Sequence, residues 1–240
     1  MKEKKIAIIT GGSSGIGRAI CNDLVKNGYI VLNFDKKKYE KYNIIFVKTN
    51  LENSVSIKKN LQKIIKKFKN PSVLINNAAI TISNPLVKYS KKDWEKTFKI
   101  NLFAPFYLSQ LFSKNLINIK TAGSIINITS IGAELAFPDN PAYQSSKAGL
   151  KHLTKSLSYD LAKYGIRANN IVPGYTRGGM NKKSWNNLNL RNKRSQKTML
   201  KRWADPSEIS NAVLFLISKN SSYITGTDLI VDGGWTSKGL

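Results

Sequence analysis

Seven apolar runs recur along the chain, at residues 5–10, 30–34, 44–47, 71–75, 123–128, 167–172 and 228–231. Most are rich in Ile and Val and lack the polar alternation of a half-exposed strand. The first reads as a buried strand and the others as strands of the same alternating α/β pattern. Between the runs the spacing changes to the helical period. Ile16, Ala19, Ile20 and Leu24 share one stripe that continues to Gly28. Val55, Ile57, Leu61, Ile64, Ile65 and Phe68 share another over residues 54–68, with lysines on the outer face. A long helix is predicted over 91–113, bent or broken near Pro105. Another spans about 142–163, and a last one starts near Pro206. One connection breaks the alternation. From Asp35 to the run at Ile44 the chain is too short for a crossover helix with its turns, so a helix is missing there.

The first strand runs directly into Gly11-Gly-Ser-Ser-Gly-Ile-Gly17 and then into a helix. Strand, glycine turn and helix N-terminus make the opening of a dinucleotide-binding unit. The glycines let the backbone approach a pyrophosphate, and the first helical amides and the dipole hold it. The spacing is Gly-x-x-x-Gly-x-Gly rather than the commoner Gly-x-Gly-x-x-Gly, and its place between strand and helix carries the reading. Candidate cofactor contacts are Gly11, Ser13, Ser14, Gly15, Ile16 and Gly17. The second strand ends at Asp35, 18 residues after Gly17. A carboxylate there accepts hydrogen bonds from the adenosine ribose and repels a 2′-phosphate, which favours NAD over NADP. Lys36, Lys37 and Lys38 soften that preference. With no linker, repeat or low-complexity break, residues 1–240 are predicted to form one α/β domain. It would be doubly wound and Rossmann-type, with a mostly parallel seven-stranded sheet.

The fourth run leads into Asn76-Asn77-Ala78-Ala79, small and polar residues where a loop would cross the cofactor. The fifth delivers Thr129 and Ser130 at its carboxyl end, the edge where open α/β sheets bind ligands. Tyr143 and Lys147 are four residues apart and share a helix face. A phenol with pKa ~10 is a poor base at neutral pH, and an ammonium beside it favours the phenolate. With Ser130 they make a proton-transfer site for an alcohol or a carbonyl. Alone the pair is weak, because tyrosine and lysine on a helix are more often a half-buried ring and a solvated charge. The glycine turn changes that by bringing a dinucleotide to the same edge. Asn101 lies inside a helix, where asparagine is unfavourable without a reason, structural or functional.

Composition adds exclusions. The formal net charge is +25, from 39 Lys and Arg against 14 Asp and Glu. Lysines are spread over most segments and no DNA- or RNA-binding motif is present, so no nucleic-acid partner is expected. One cluster is local: residues 180–204 hold no acid but contain Lys182, Lys183, Arg191, Lys193, Arg194, Lys197, Lys201 and Arg202. A single cysteine, Cys21, allows no internal disulfide and suits a reducing compartment. The apolar run near Met1 is too short for a secretory signal, and none approaches the roughly 20 residues of a membrane span. The expectation is a cytoplasmic protein with no membrane partner. One histidine, His152, and no Cys/His cluster predict no metal site.

Taken in register, these residues resemble the short-chain dehydrogenase/reductases over nearly the whole chain. The resemblance rests on Thr10-Gly11-x-x-x-Gly15-x-Gly17, Asn76-Asn77-Ala78, Asn101, Ser130, Tyr143-x-x-x-Lys147 and Pro173-Gly174, in the family's order and spacing. Residues 224–234 also look like the family's last strand. It implies hydride transfer between a secondary alcohol and a ketone, with Tyr143 as acid/base and Ser130 holding the substrate oxygen. Lys147 would lower the tyrosine pKa and bind the nicotinamide ribose, and Asn101 would position a water linking Lys147 to solvent. Further cofactor contacts are implied at Asn50, Leu51, Asn77, Ala78, Ala79, Pro173, Gly174 and Thr176. Three positions depart from the family pattern. Ala79 replaces a glycine, Asn50 stands where an aspartate commonly meets the adenine, and Gly178 replaces a threonine that contacts the carboxamide, with Thr176 as a possible substitute.

Residues 178–205 would form a substrate lid, and their charge suggests an anionic small-molecule substrate: a carboxylate, an acidic or phosphorylated sugar, or an acyl group on an acidic carrier. Two other readings stay within the enzyme class. One is an NADPH-dependent 3-oxoacyl-carrier-protein reductase, disfavoured by Asp35. The other is a dihydrodiol dehydrogenase of the dihydroxybenzoate type, which shares the short connection after Asp35. A cofactor-binding regulator or nucleic-acid binder on the same fold is a further alternative, weakened because all four catalytic positions are filled. The resemblance also implies a homotetramer or homodimer built on the helices around 91–113 and 142–163.

Overall fold

All seven apolar runs become strands in the computed structural model, which describes residues 5–68 and 71–238. They are β1 (Lys5–Thr10), β2 (Tyr29–Asp35), β3 (Ile44–Lys48), β4 (Val73–Asn76), β5 (Gly123–Ile128), β6 (Ile166–Pro173) and β7 (Asp228–Val231). They form one sheet in the order β3-β2-β1-β4-β5-β6-β7. Every pairing is parallel, so the sheet is wholly rather than mostly parallel. The order reverses direction between β1 and β4, and their carboxyl ends open the crevice where such sheets bind ligands.

Helices cover both faces. On one side α2 (Ser54–Phe68), α4 (Ala104–Asn118) and the end of α5 (Pro141–Leu161) bury Ile57, Leu61, Phe112, Leu116 and Leu161 against Ile8, Leu32, Phe34 and Leu74. On the other, α1 (Gly15–Lys26) and α8 (Pro206–Ile217) bury Ile20, Leu24, Ile209 and Val213 against Ile9, Val31, Ile75 and Ile126. No helix joins β2 to β3, as their spacing predicts. Residues 36–43 make the link as bends, pinned by the pair of hydrogen bonds between Lys41 and Ile44. Among the described residues no helix is long and apolar enough to cross a membrane.

The helix predicted over 91–113 is a composite. α3 (Lys91–Phe98) and α4 are joined by a π-helical turn at Lys99–Phe103, marked by the Ala104 N–H donating to the Lys99 carbonyl. The break therefore lies ahead of Pro105. Proline offers no N–H to the carbonyl four residues back, that of Asn101, and its ring crowds it, so the preceding turn widens. The turn sets Asn101 facing inward, fully buried. Its Oδ1 accepts from the Ile80 N–H (2.9 Å), while Nδ2 donates to the Ile80 carbonyl (2.9 Å) and to Ser146 Oγ (3.1 Å). One amide thus ties the loop after β4 to α5. Asn101→Ala removes three hydrogen bonds, two to the partly buried Ile80 backbone and one to buried Ser146, and is expected to destabilise the fold by about 2–3 kcal/mol in urea unfolding. A change under about 0.5 kcal/mol would show the tie to be dispensable.

Candidate active site

β1 and β4 end side by side, and their turns lock together. Thr10 Oγ1 accepts from the Asn77 and Ala78 N–H groups, both at 3.0 Å, and Asn77 Nδ2 donates to the Thr10 and Gly11 carbonyls. Buried Asn33 on β2 braces the glycine turn from the side. Its Oδ1 accepts from the Gly12 N–H at 2.9 Å and its amide donates to Ser13 Oγ. The closeness of these turns leaves no room at Gly17, where a Cβ would lie 2.2 Å from the Gly11 carbonyl oxygen. A backbone atom cannot yield as a flexible side chain would, so glycine is required there.

α1 begins immediately after this turn. Its N-cap residue, Ser14, makes no side-chain cap, and no acid stands in its first turn. An uncapped helix start lined by glycines is a place for an anion such as a pyrophosphate. A cavity of about 750 Å³ opens in front of it, lined by Gly11, Ser13, Ser14, Gly15, Ile16 and Gly17. Asp35 stands at one end. Its Oδ2 accepts from the Ser13 N–H (3.1 Å), and its Oδ1 accepts from the N–H groups of Lys36 and Lys37. These bonds fix the carboxylate toward the cavity and leave one acceptor site, on Oδ2, for a ribose hydroxyl. Thr49 and Leu51 line the same end. Asn50 does not. It is exposed, its side-chain oxygen accepts from the Glu52 N–H, and its own N–H goes to Ser56 Oγ. Its side-chain oxygen thus shapes the turn into α2.

Asn77, Ala78 and Ala79 line the middle of the cavity, and Ser130, Tyr143, Lys147, Pro173, Gly174 and Thr176 its far end. Lys147 is almost wholly buried and its Nζ donates to the Ile128 carbonyl at 2.6 Å. Burial lowers its pKa to about 7. The ammonium sits 5.9 Å from the Tyr143 ring centroid. Burial also raises the Tyr143 pKa, the facing Ser130 hydroxyl pulling the other way. In the protein without cofactor, desolvation is the largest influence on both groups. Ser130 caps the short turn Ile131–Ala133 by accepting from the Gly132 N–H at 3.0 Å, which holds its hydroxyl beside Tyr143. Asn101 stays outside the cavity wall, its side chain bonded to Ile80 and Ser146.

Thr176 is buried and its hydroxyl donates to the Gly174 carbonyl at 3.2 Å. Gly178 takes φ 81 and ψ −168, which a β-branched threonine cannot adopt. Glycine at 178 suits this backbone path, in which Gly179 lies against Gly15. Sequence reasoning passed over Asn33, Phe137 and Tyr175, and named Arg194 only within the basic cluster of residues 180–204. Asn33 was signalled by an amide inside an apolar strand; nothing local marked Phe137 or Tyr175.

The pattern of the family described as enoyl-(acyl carrier protein) reductase matches residues 11–236. The chain belongs to the short-chain dehydrogenase/reductases. As a member it is an NAD(P)-dependent oxidoreductase working between an alcohol and a ketone. The chain is 36% identical over 242 residues to the 3-oxoacyl-acyl-carrier-protein reductase of Buchnera aphidicola, with 97% of each chain covered. It is 30% identical over 244 residues to the L-xylulose reductase of Caenorhabditis elegans, covering 98% of this chain and 96% of that one. Among solved structures, a 4-hydroxyisoleucine dehydrogenase complexed with NADH superposes with a TM-score of 0.94 at 30% identity, covering 98% of this short-chain dehydrogenase/reductase and 100% of the other chain.

Proposed function

We propose that the protein is an NAD(H)-dependent oxidoreductase that interconverts a secondary alcohol and a ketone, with Tyr143 as the acid/base. One observation carries the reading: a single cavity has Asp35 and the uncapped start of α1 at one end and Ser130, Tyr143 and Lys147 at the other. The residues fit a nicotinamide dinucleotide, held by the first amides of α1, by Asp35 and by Lys147; bound there, it supplies the hydride acceptor or donor. Tyr143 passes the proton to or from the substrate oxygen. Ser130 donates a hydrogen bond to that oxygen and stabilises developing charge. Lys147 holds the nicotinamide ribose. Residues 178–205 serve as the lid over the substrate.

Asp35 favours NAD, because a 2′-phosphate would meet its carboxylate in a site that already holds it with three N–H donors. Titration of NADH and NADPH, followed by tryptophan-to-nicotinamide energy transfer, tests this. NADH is expected to bind at least about tenfold tighter, and Asp35→Ser is expected to remove that preference by ending a like-charge contact. Equal affinities in the unaltered protein would overturn the assignment. Phe103, Phe106 and Tyr159, exposed on and beside α4 and α5, support a homo-oligomer formed through those helices.

A further inference from the structure

Eight basic side chains fall in residues 180–204 without an acid among them, and the fold sorts them. Arg202 is held by Glu208 through two bonds of 2.7 Å. Arg191 lies 4.9 Å over the Trp185 ring, and Lys201 Nζ donates to the Gln196 carbonyl. Of the eight, Arg194 alone lines the cavity that holds Ser130, Tyr143 and Lys147. It comes from α7 (Leu188–Ser195), and its guanidinium lies 4.4 Å from the Tyr175 ring centroid and 5.9 Å from that of Trp203. Tyr175 stacks on Trp235 at 5.2 Å, and Phe137 packs edge-on to both. Tyr175 lies within electrostatic reach of Arg194 on one side and of Tyr143 on the other.

Among the described residues no carboxylate pairs with Arg194, and its Nη1 is buried with no hydrogen-bond partner. A buried donor left unpaired is costly and rare in native proteins. Here it belongs to a guanidinium backed by aromatic rings, on the wall of a cavity that also holds a proton-transfer pair. Other basic residues on that wall are engaged or lie elsewhere: Arg177 is ion-paired to Asp205, Lys147 bonds the Ile128 carbonyl, Lys36 bonds Glu52 at 2.7 Å, and Lys37 stands at the opposite end, beside Asp35. One uncommitted guanidinium matches one carboxylate in charge and in fork geometry. A phosphate dianion would call for a second uncommitted cation at the Arg194 end of the cavity, and none lines it there among the described residues.

We propose that Arg194 binds a carboxylate of the substrate, so that the enzyme acts on hydroxy acids and the corresponding oxo acids. The proposal rests on the oxidoreductase reading above and deepens it. The basic lid acts through this one residue, the remaining seven charges being solvated or paired on its outside.

The test is a panel of hydroxy acids, each paired with its methyl ester, assayed with NAD on the unaltered protein, Arg194→Gln and Arg194→Lys. The acid is expected to exceed its ester in kcat/KM by about 100-fold, mostly through KM. Arg194→Gln should bring that ratio close to one, and Arg194→Lys should leave it between. The ratio is read within one protein, so a loss of folded enzyme cancels. Calorimetry with succinate and dimethyl succinate gives a second readout that needs no turnover: succinate should bind the unaltered protein more tightly, and Arg194→Gln should abolish the difference. Equal acid and ester constants, or an acid preference that survives Arg194→Gln in both measurements, would overturn the proposal. Succinate binding lost in Arg194→Gln, alongside undiminished turnover in Tyr143→Phe, would instead refute the catalytic reading and leave the carboxylate site standing.

Discussion

Tyr143→Phe is expected to lower kcat by about 10³-fold while NADH affinity stays within a few-fold. The substitution removes one oxygen and keeps the ring, so the cavity wall and the packing around Ser130 and Gly132 are retained. What is lost is the group that exchanges a proton with the substrate oxygen. Burial holds the phenol above its ordinary pKa, so it is protonated through the neutral range and stands ready as an acid. Ketone reduction should therefore be flat across neutral pH and fall only in the alkaline range. Alcohol oxidation, which needs the phenolate, should rise as pH increases. Steady-state rates in both directions from pH 6 to 10 measure this. A variant that turned over as fast as the parent, or an oxidation rate independent of pH, would remove Tyr143 from the chemistry.

The framework that positions this tyrosine could be read from the chain because parallel strands announce themselves as unbroken apolar runs. β1, β5 and β7 lie where their Ile and Val clusters stand, and the missing helix after Asp35 follows from chain length alone. Internal polar ties left no such trace. Asn76, Asn127, Thr154 and Asn170 are buried and bonded to one another in series across β4, β5, α5 and β6. As letters they read as surface residues, since a buried amide differs from an exposed one only in its partners. Asn101 belongs to the same class: its mid-helix position marked it as unusual, but only the π turn shows that its amide serves Ile80 and Ser146. Asn50 shows how a local turn can hide in a register: its side-chain oxygen accepts from the Glu52 N–H, a bond its letter does not announce. Arg194 was one of eight equivalent basic letters, and tertiary packing alone distinguishes it.

Lys147→Met is expected to lower kcat by about 10²–10³-fold and, separately, to change how stability depends on pH. The second effect follows from burial. In the folded protein Lys147 titrates at about 7, against 10.5 in the open chain. Between those values the unfolded chain carries one more proton than the folded one at this site. Unfolding free energy therefore rises with pH by about 1.4 kcal/mol per unit from pH 7 upward, and the gain is lost as pH falls back toward 7. Below 7 both states are charged and the contribution is level. Cys21, buried and pushed up to about 12, acts in the opposite direction above pH 9, where the unfolded thiol ionises and the folded one does not. That contribution is common to parent and variant, so the difference between their urea stabilities isolates the lysine. The parent should gain on Lys147→Met by roughly 2–3 kcal/mol between pH 7 and 9. A constant difference over that interval would mean that the ammonium keeps its charge in the fold. The Ile128 carbonyl at 2.6 Å would then compensate for the lost water, and Lys147 would face the cofactor site as a permanent cation.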